Sequence, residues 1–210
     1  MFPPIPSWDA MHPLIIHFPI ALLTIVPVLL VLGLFWHKYS RGLFLASLVL
    51  MVVGTIGIYA AMATGEAGEE RAEKIAGAEV VLHQHEELAE TTRNIFTALT
   101  LIFGAMLITP EVIKRRARKN TNALTTNDEA ALSDKGLFFL GGKTATIITA
   151  AFLLFYLAGV VTLANAAHQG GRLVHELGVQ AAMNKGDGVA QAGAEKTAPA
   201  NRKKDDDDDD

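Results

Sequence analysis

Residues 13–36 have the sequence PLIIHFPIALLTIVPVLLVLGLFW, which contains no charged side chain. About 20 consecutive apolar residues are enough for a helix to cross the hydrocarbon core of a bilayer. Three more apolar runs follow, at about 42–63, 94–110 and 143–167, and the stretch before the third continues its helical pattern. We therefore predict an all-α integral membrane protein, a four-helix up-down-up-down bundle within residues 1–180.

The composition agrees with a membrane protein and narrows the kinds of site. Of the 210 residues, 50% are hydrophobic, and the mean hydropathy is +0.30. The chain has no cysteine, which excludes disulfides, thiolate-bound iron–sulfur clusters, covalent c-type haem and a cysteine nucleophile within it. No Ser–His–Asp spacing or phosphate-binding loop points to a hydrolase. We expect a polar, disordered tail at 181–210 and no nucleic-acid partner.

The distribution of basic residues predicts an orientation in the membrane. The loop after the first run carries Lys38 and Arg41, and five more Lys and Arg residues lie in 111–119. The loop at 64–94 instead holds eight Glu against three basic residues. Because Lys and Arg near membrane ends favour the cytoplasm, we predict a multi-pass protein of the bacterial inner membrane with both termini periplasmic.

Histidines gather on that predicted periplasmic side. Six of the seven lie there, whereas His37 alone is on the other side. The six are His12, His17, His83, His85, His168 and His175. A polar ring is costly beside lipid, so this cluster is a candidate functional site, and haem or a transition metal is its first candidate ligand.

Helical phase separates the two histidines that precede the third run. If the helix begins near Val80, His85 continues a stripe that reaches Phe96, whereas His83 joins a stripe of glutamates. The first stripe is apolar and suited to burial. We therefore favour His85 over His83 as a ligand.

The first helix offers two more candidates. His17 is followed on its face by Ala21, Thr24 and Val28, a small and partly polar face that we expect in the bundle interior. His12 precedes Pro13 and lies near the predicted N-cap, where a capping or interfacial role competes with ligation. A buried histidine bonded to a backbone carbonyl is the alternative for His17.

The end of the fourth helix supplies the remaining candidates. His168 is expected at the mouth of the bundle. Gly170 and Gly171 are expected to interrupt the helix, which places His175 on a short surface helix. Arg172 is a candidate partner for a haem propionate, because its guanidinium matches a carboxylate; an interfacial anchor is the alternative.

Three motifs together resemble a family of bacterial four-helix inner-membrane proteins whose domain has no known function. They are HPLIIHFPIAL at 12–22, HEEL at 85–88 and GGRLV at 170–174. The resemblance covers roughly residues 10–180. It implies a protein that binds b-type haem and associates with c-type cytochromes or other electron-transfer domains.

Only some family positions carry over to this chain. His12, His17, His85 and the Gly170–Gly171 turn match the family pattern. After residue 174 the chain departs from it, because the family has a Tyr followed by a His-Gly pair where this chain has HELG. The resemblance therefore supplies no ligand from this last motif.

The leading hypothesis is a membrane-bound b-type haem subunit that passes electrons near the periplasmic face and is not itself catalytic. His17 and His85 are its favoured axial ligands, with His12 and His168 as alternatives and Arg172 beside the cofactor. One haem b is expected, although six histidines are enough for two. The bilayer, other membrane redox subunits, a periplasmic c-type cytochrome and quinol are the expected partners. The alternatives are a transition-metal-binding membrane protein and a structural accessory subunit of a membrane complex.

Overall fold

The computed structural model describes residues 8–120 and 143–179, and all regular structure in these two ranges is helical. The four long helices are α1 (His12–Phe35), α2 (Ser40–Ala72), α3 (Ala78–Asn120) and α4 (Lys143–His175), with a 3₁₀ turn at Trp8–Met11 before α1. The predicted tail at 181–210 lies outside the described residues.

Each predicted apolar run coincides with one helix, the first run ending one residue beyond α1, and each helix carries an apolar stretch long enough to cross a membrane. The prediction of a four-helix transmembrane bundle is thus confirmed. Three helices extend beyond the predicted runs: α2 continues to Ala72, α3 starts at Ala78, and α4 continues to His175. These three extensions lie at one end of the bundle, and α3 also extends past residue 110 to Asn120 at the other end.

Successive helices run antiparallel, in the up-down-up-down order. The Trp8 indole, just before α1, donates a hydrogen bond to the Ala63 carbonyl near the end of α2 (3.2 Å). Late in α3, Phe103 stacks at 5.0 Å on Phe152, early in α4. The molecule therefore consists of two helical hairpins, α1–α2 and α3–α4, joined by the short connection at 73–77.

The core of the bundle is rich in aromatic side chains. Phe96, Phe103 and Tyr156 are completely buried, and Phe152 is nearly so. The Phe96 and Tyr156 rings meet edge to face at 5.3 Å. Such contacts add about 0.5–1.5 kcal/mol each beyond the burial of area, so they fix how α3 and α4 pack.

One buried hydrogen bond links α4 to α1 inside this core. Pro27 has no N–H, so the Leu23 carbonyl one turn earlier lacks its usual helical donor. The Tyr156 hydroxyl donates to that carbonyl at 3.0 Å. A proline in a membrane helix is tolerated where a neighbouring helix satisfies the carbonyl it leaves unpaired, and Tyr156 does so here.

The outer surface of the helices is apolar, as contact with lipid requires. Large aliphatic and aromatic side chains are exposed along all four helices. Trp8 is exposed at one end of α1, and Trp36 and Tyr39 are exposed at the other. The 24 residues of α1 extend about 36 Å, slightly more than the hydrocarbon thickness of about 30 Å. These aromatic residues therefore lie where the two membrane interfaces are expected.

The predicted interruption of the fourth helix is wrong. The helix α4 continues through Gly170 and Gly171 to His175, and the chain turns only at Gly178, which has a φ of +70°. Gly170 packs against the His85 ring, so its lack of a side chain permits a close contact between helices. His175 is consequently the last residue of α4 rather than part of a separate surface helix.

Candidate functional site

We call the end of the bundle at which α1 and α3 begin and α2 and α4 end the histidine end. His37 lies at the opposite end, between α1 and α2. The histidines toward the histidine end are His12, His17, His83, His85, His168 and His175. The six histidines predicted to share one side therefore do so, but they differ in burial and in partners.

Two of the six come together inside the bundle. His12 is the first residue of α1, and His85 lies two turns into α3. Their ring centroids are 6.4 Å apart, and the ring planes are perpendicular. Both side chains are half-buried. The two imidazoles therefore come from different hairpins and meet where the hairpins pack together.

The hydrogen bond of His12 assigns its tautomer. Nδ1 of His12 lies 2.8 Å from the Ala61 carbonyl oxygen on α2. A carbonyl can only accept, so Nδ1 carries the proton and donates it. The Thr64 hydroxyl is 3.4 Å from the same nitrogen and donates to the Ala61 carbonyl as well. In the neutral ring, the lone pair available to a ligand is consequently on Nε2.

His85 repeats this arrangement in the second hairpin. Its Nδ1 lies 2.8 Å from the Ala166 carbonyl oxygen on α4 and donates to it. Nε2 again carries the free lone pair. A bond from the second ring nitrogen to a backbone carbonyl is the usual way in which proteins orient a metal-binding imidazole and raise its basicity.

A glycine packs closely against each ring. A Cβ added at Gly65 on α2 would lie 3.2 Å from Cε1 and Nδ1 of His12. A Cβ added at Gly170 on α4 would lie 3.0 Å from Cε1 of His85. Both distances are shorter than ordinary van der Waals contact, so any side chain here would displace the ring. The two glycines therefore allow the imidazoles to lie directly against the helices that hold them.

His17, favoured from helical phase, is not brought to His85. Its ring is exposed, and Nδ1 donates to the Pro13 carbonyl of its own helix. Ala21, Thr24 and Val28, expected in the interior beside it, are exposed too. That expected interior face is thus wrong, and the structure brings His12 rather than His17 to His85.

The other candidates lie around the mouth of the bundle. His83, His168 and His175 are exposed. Arg172 pairs with Glu176 one turn later, at 2.9 Å, and also donates to the Gln169 side chain. A carboxylate ligand would therefore have to compete with Glu176 for the guanidinium group.

The chain matches the family described as predicted membrane protein (DUF2231) over residues 9–183. The match includes both paired histidines and both glycines packed against them. The chain belongs to the DUF2231 family. No curated protein and no solved structure matches it.

The donor set of this DUF2231 member limits what it can bind. Within residues 8–120 and 143–179, no group of three or more His, Asp or Glu side chains is arranged around one point. A zinc ion takes three or four protein ligands, whereas haem iron takes one or two, because the porphyrin supplies the rest. Within the described residues, the structure brings two imidazoles together and no larger set of ligands.

Sequence reasoning missed part of the DUF2231 site. Gly170 was noted as a helix breaker and as part of a family motif, but not as a neighbour of His85, and Gly65 was not identified. The backbone acceptors at Ala61 and Ala166 have no sequence signal, because any residue supplies a carbonyl. The feature of the sequence that could have indicated these contacts is a glycine near the histidine end of α2 and of α4.

Proposed function

We propose that this protein is a membrane-bound b-type haem subunit in which His12 and His85 would hold the haem iron. The observation that carries the proposal is their pairing: two rings from separate hairpins, each oriented by a backbone carbonyl through Nδ1, meet with both Nε2 lone pairs available. The proposal keeps His85 from the sequence prediction and replaces His17 with His12.

The separation of the rings supports a single metal atom between them. Each nitrogen–metal bond to imidazole is about 2.0–2.1 Å, and the ligating nitrogen lies roughly another ångström from its ring centre. Two such rings on one metal are thus separated by roughly 6 Å, centre to centre. The observed 6.4 Å agrees with this value.

The glycines support a flat cofactor at the same place. Because Gly65 and Gly170 have no side chain, each imidazole lies back against its partner helix instead of projecting farther across the interface. Haem bound there would supply one-electron chemistry, which the side chains of this region cannot provide.

The role of the protein is then to hold and tune that electron-transfer centre. The Ala61 and Ala166 carbonyls would hold both imidazoles in one tautomer, which leaves Nε2 of each ring to bind the metal. The site lies at one membrane boundary, so exchange is expected with a membrane redox subunit, a c-type cytochrome or quinol at the histidine end. The charge distribution predicts that this end is periplasmic.

A difference spectrum of the purified protein tests the proposal. The full chain is expressed with a haem precursor, and reduced-minus-oxidised spectra are taken with total metal and porphyrin analysis. A b-type α-band is expected from the unaltered protein, whereas His12→Ala and His85→Ala are each expected to abolish low-spin bis-imidazole binding. Protein without an α-band in either redox state, or with stoichiometric metal and no porphyrin, overturns the proposal.

Two exposed histidines provide matched controls. His17→Ala and His168→Ala remove an imidazole from the same end of the bundle but from outside the pair. We expect both variants to retain the unaltered spectrum. If His17→Ala abolishes the band and His12→Ala does not, His17 is the ligand and the assigned pair is incorrect.

A further inference from the structure

We infer that the bundle is a tandem repeat of one helical hairpin, and that Gly65 and Gly170 are equivalent positioning residues, one in each repeat, for the two site histidines. The part of this inference that concerns bound haem rests on the proposed function. The repeat and the positioning of the rings do not, because both are properties of the protein alone.

The helices α1 and α3 match each other in sequence position and burial. A shift of 73 positions places His12 on His85. The same shift places core residues of α1 on core residues of α3. The buried pairs are Leu23 with Phe96, Val26 with Leu99, and Leu30 with Phe103. The two helices therefore present corresponding faces to the core, and the site histidine lies at the same number of residues before these core positions in each.

The helices α2 and α4 match each other in the same way. A shift of 105 positions places Ala61, the acceptor for His12, on Ala166, the acceptor for His85. It also places Gly65 on Gly170. Five further buried positions correspond between residues 44 and 58 of α2 and residues 149 and 163 of α4: Phe44 with Thr149, Ser47 with Phe152, Met51 with Tyr156, Gly54 with Gly159, and Ile58 with Leu163.

Helical periodicity alone could align two buried faces, but it does not reproduce individual contacts. Three contacts recur: the imidazole with its carbonyl, the imidazole with its glycine, and a second glycine with a core side chain. In the third, Gly54 packs closely against Leu23 in one hairpin, and Gly159 packs most closely against Ile95 in the other and also contacts Phe96, the counterpart of Leu23, at 3.5 Å. Each contact recurs under the same two shifts, as expected of repeated units.

The orientation of the helices fixes the symmetry. Because α1 and α3 run in the same direction, the two hairpins are parallel repeats, related by a pseudo-two-fold axis along the membrane normal. The perpendicular His12 and His85 rings meet where the repeats face each other. Each repeat therefore supplies half of one shared site, which favours one haem over two.

The same symmetry assigns corresponding roles to the glycines. An added methyl group at Gly65 must push the His12 ring, and one at Gly170 must push the His85 ring, because each new Cβ falls within 3.2 Å of Cε1. Neighbouring glycines provide controls. Gly68 on α2 and Gly171 on α4 have open space where a Cβ would be, so alanine there leaves the rings in place.

Histidine NMR on the haem-free full chain tests the positioning role. The protein is labelled with ¹⁵N-histidine in lipid nanodiscs, and ring signals are assigned with His12→Ala and His85→Ala. Gly65→Ala is expected to shift mainly the His12 signals and Gly170→Ala mainly the His85 signals. Gly68→Ala and Gly171→Ala are expected to shift neither. If the four alanine variants give the same spectrum, the positioning inference is overturned.

Haem titration then tests whether the roles are equivalent. Gly65→Ala and Gly170→Ala are each expected to weaken haem b binding by about 10- to 100-fold, because mutating the groups that hold metal ligands in place generally has an effect of this size. A large loss in one variant and none in the other contradicts the equivalence. If the unaltered chain binds no haem, the proposed function fails, whereas the NMR result on the empty protein still decides the positioning role.

A double variant covers the case in which Gly65→Ala impairs folding. Since the added methyl group clashes with the His12 ring, removing that ring must relieve the defect. His12→Ala combined with Gly65→Ala is therefore expected to unfold at the same denaturant concentration as His12→Ala alone. An additive loss of stability shows that the glycine is needed for another reason, and the inference is then incorrect.

Discussion

Replacing Tyr156 with Phe should destabilise the bundle, because the Leu23 carbonyl oxygen on α1 loses its hydrogen-bond donor. The variant keeps the buried ring and its contact with Phe96, and it removes only the hydroxyl that donates to the Leu23 carbonyl. Pro27 leaves that carbonyl without a helical donor. The Leu23 carbonyl is thus left unpaired in the dry centre of the bundle.

The size of the effect follows from that missing donor. A buried polar group without a partner costs about 1–3 kcal/mol, whereas hydrogen bonds between membrane helices average about 0.6 kcal/mol because unfolded segments find other partners. The Leu23 carbonyl has no such replacement in the folded helix, so we expect a loss of about 1–2 kcal/mol. This loss corresponds to roughly a 5- to 30-fold increase in the unfolded fraction.

Unfolding by sodium dodecyl sulfate in mixed micelles, followed by circular dichroism, measures the loss. Tyr59→Phe is the matched control, because the Tyr59 hydroxyl meets Thr97 at 3.2 Å on an exposed surface. It should cost well under 1 kcal/mol. A loss for Tyr156→Phe no larger than that of the control refutes the argument.

A double-mutant cycle isolates the cause. Pro27→Ala restores an N–H that can pair with the Leu23 carbonyl, so Tyr156→Phe should cost much less in that background. Equal costs in the two backgrounds would show that the hydroxyl matters for some reason other than the unpaired carbonyl.

Three other expectations concern the core and the orientation. Thr92→Val should leave the free energy of unfolding unchanged or raise it by up to about 1 kcal/mol in the same assay. The reason is that the buried Thr92 hydroxyl has no hydrogen-bond partner within the described structure. A loss of more than about 1 kcal/mol contradicts this expectation. Gly54→Ala should cost about 1–3 kcal/mol, because its Cβ would lie 2.7 Å from Cγ of Leu23; a neutral result would show that the leucine moves aside freely. In the cysteine-free chain, His175→Cys should react with a membrane-impermeant maleimide added to spheroplasts, because the histidine end is predicted to be periplasmic. His37→Cys lies at the other end and should react only after permeabilisation. The opposite pattern would show that the orientation is reversed.

The sequence determined the four helices because apolar length is a strong signal. It also distinguished the half-buried histidine of α3 from the exposed one, because glutamates on the opposite face mark the polar side of that helix and leave His85 on the side of the buried Phe96. Contrast between polar and apolar faces was the information used. Where that contrast existed, helical phase gave the correct face.

The helix α1 lacks that contrast, so phase could not separate His12 from His17. Its lipid-facing side is as apolar as its buried side, and a small or polar residue does not mark the interior. Thr24 illustrates the reason: its hydroxyl donates to the Ile20 and Ala21 carbonyls of its own helix. His17 satisfies its ring nitrogen in the same way, which permits both residues to face outward.

The position of the histidine pair also has an electrical consequence. Moving one elementary charge across a whole membrane costs about 2.3 kcal/mol per 100 mV, but a charge that reaches His12, the first residue of α1, crosses only a small part of that field. The charge state of anything held between the two rings should therefore depend little on the membrane voltage. The membrane potential of the cell could therefore change severalfold with little effect on the redox or protonation equilibrium of a group bound between the rings.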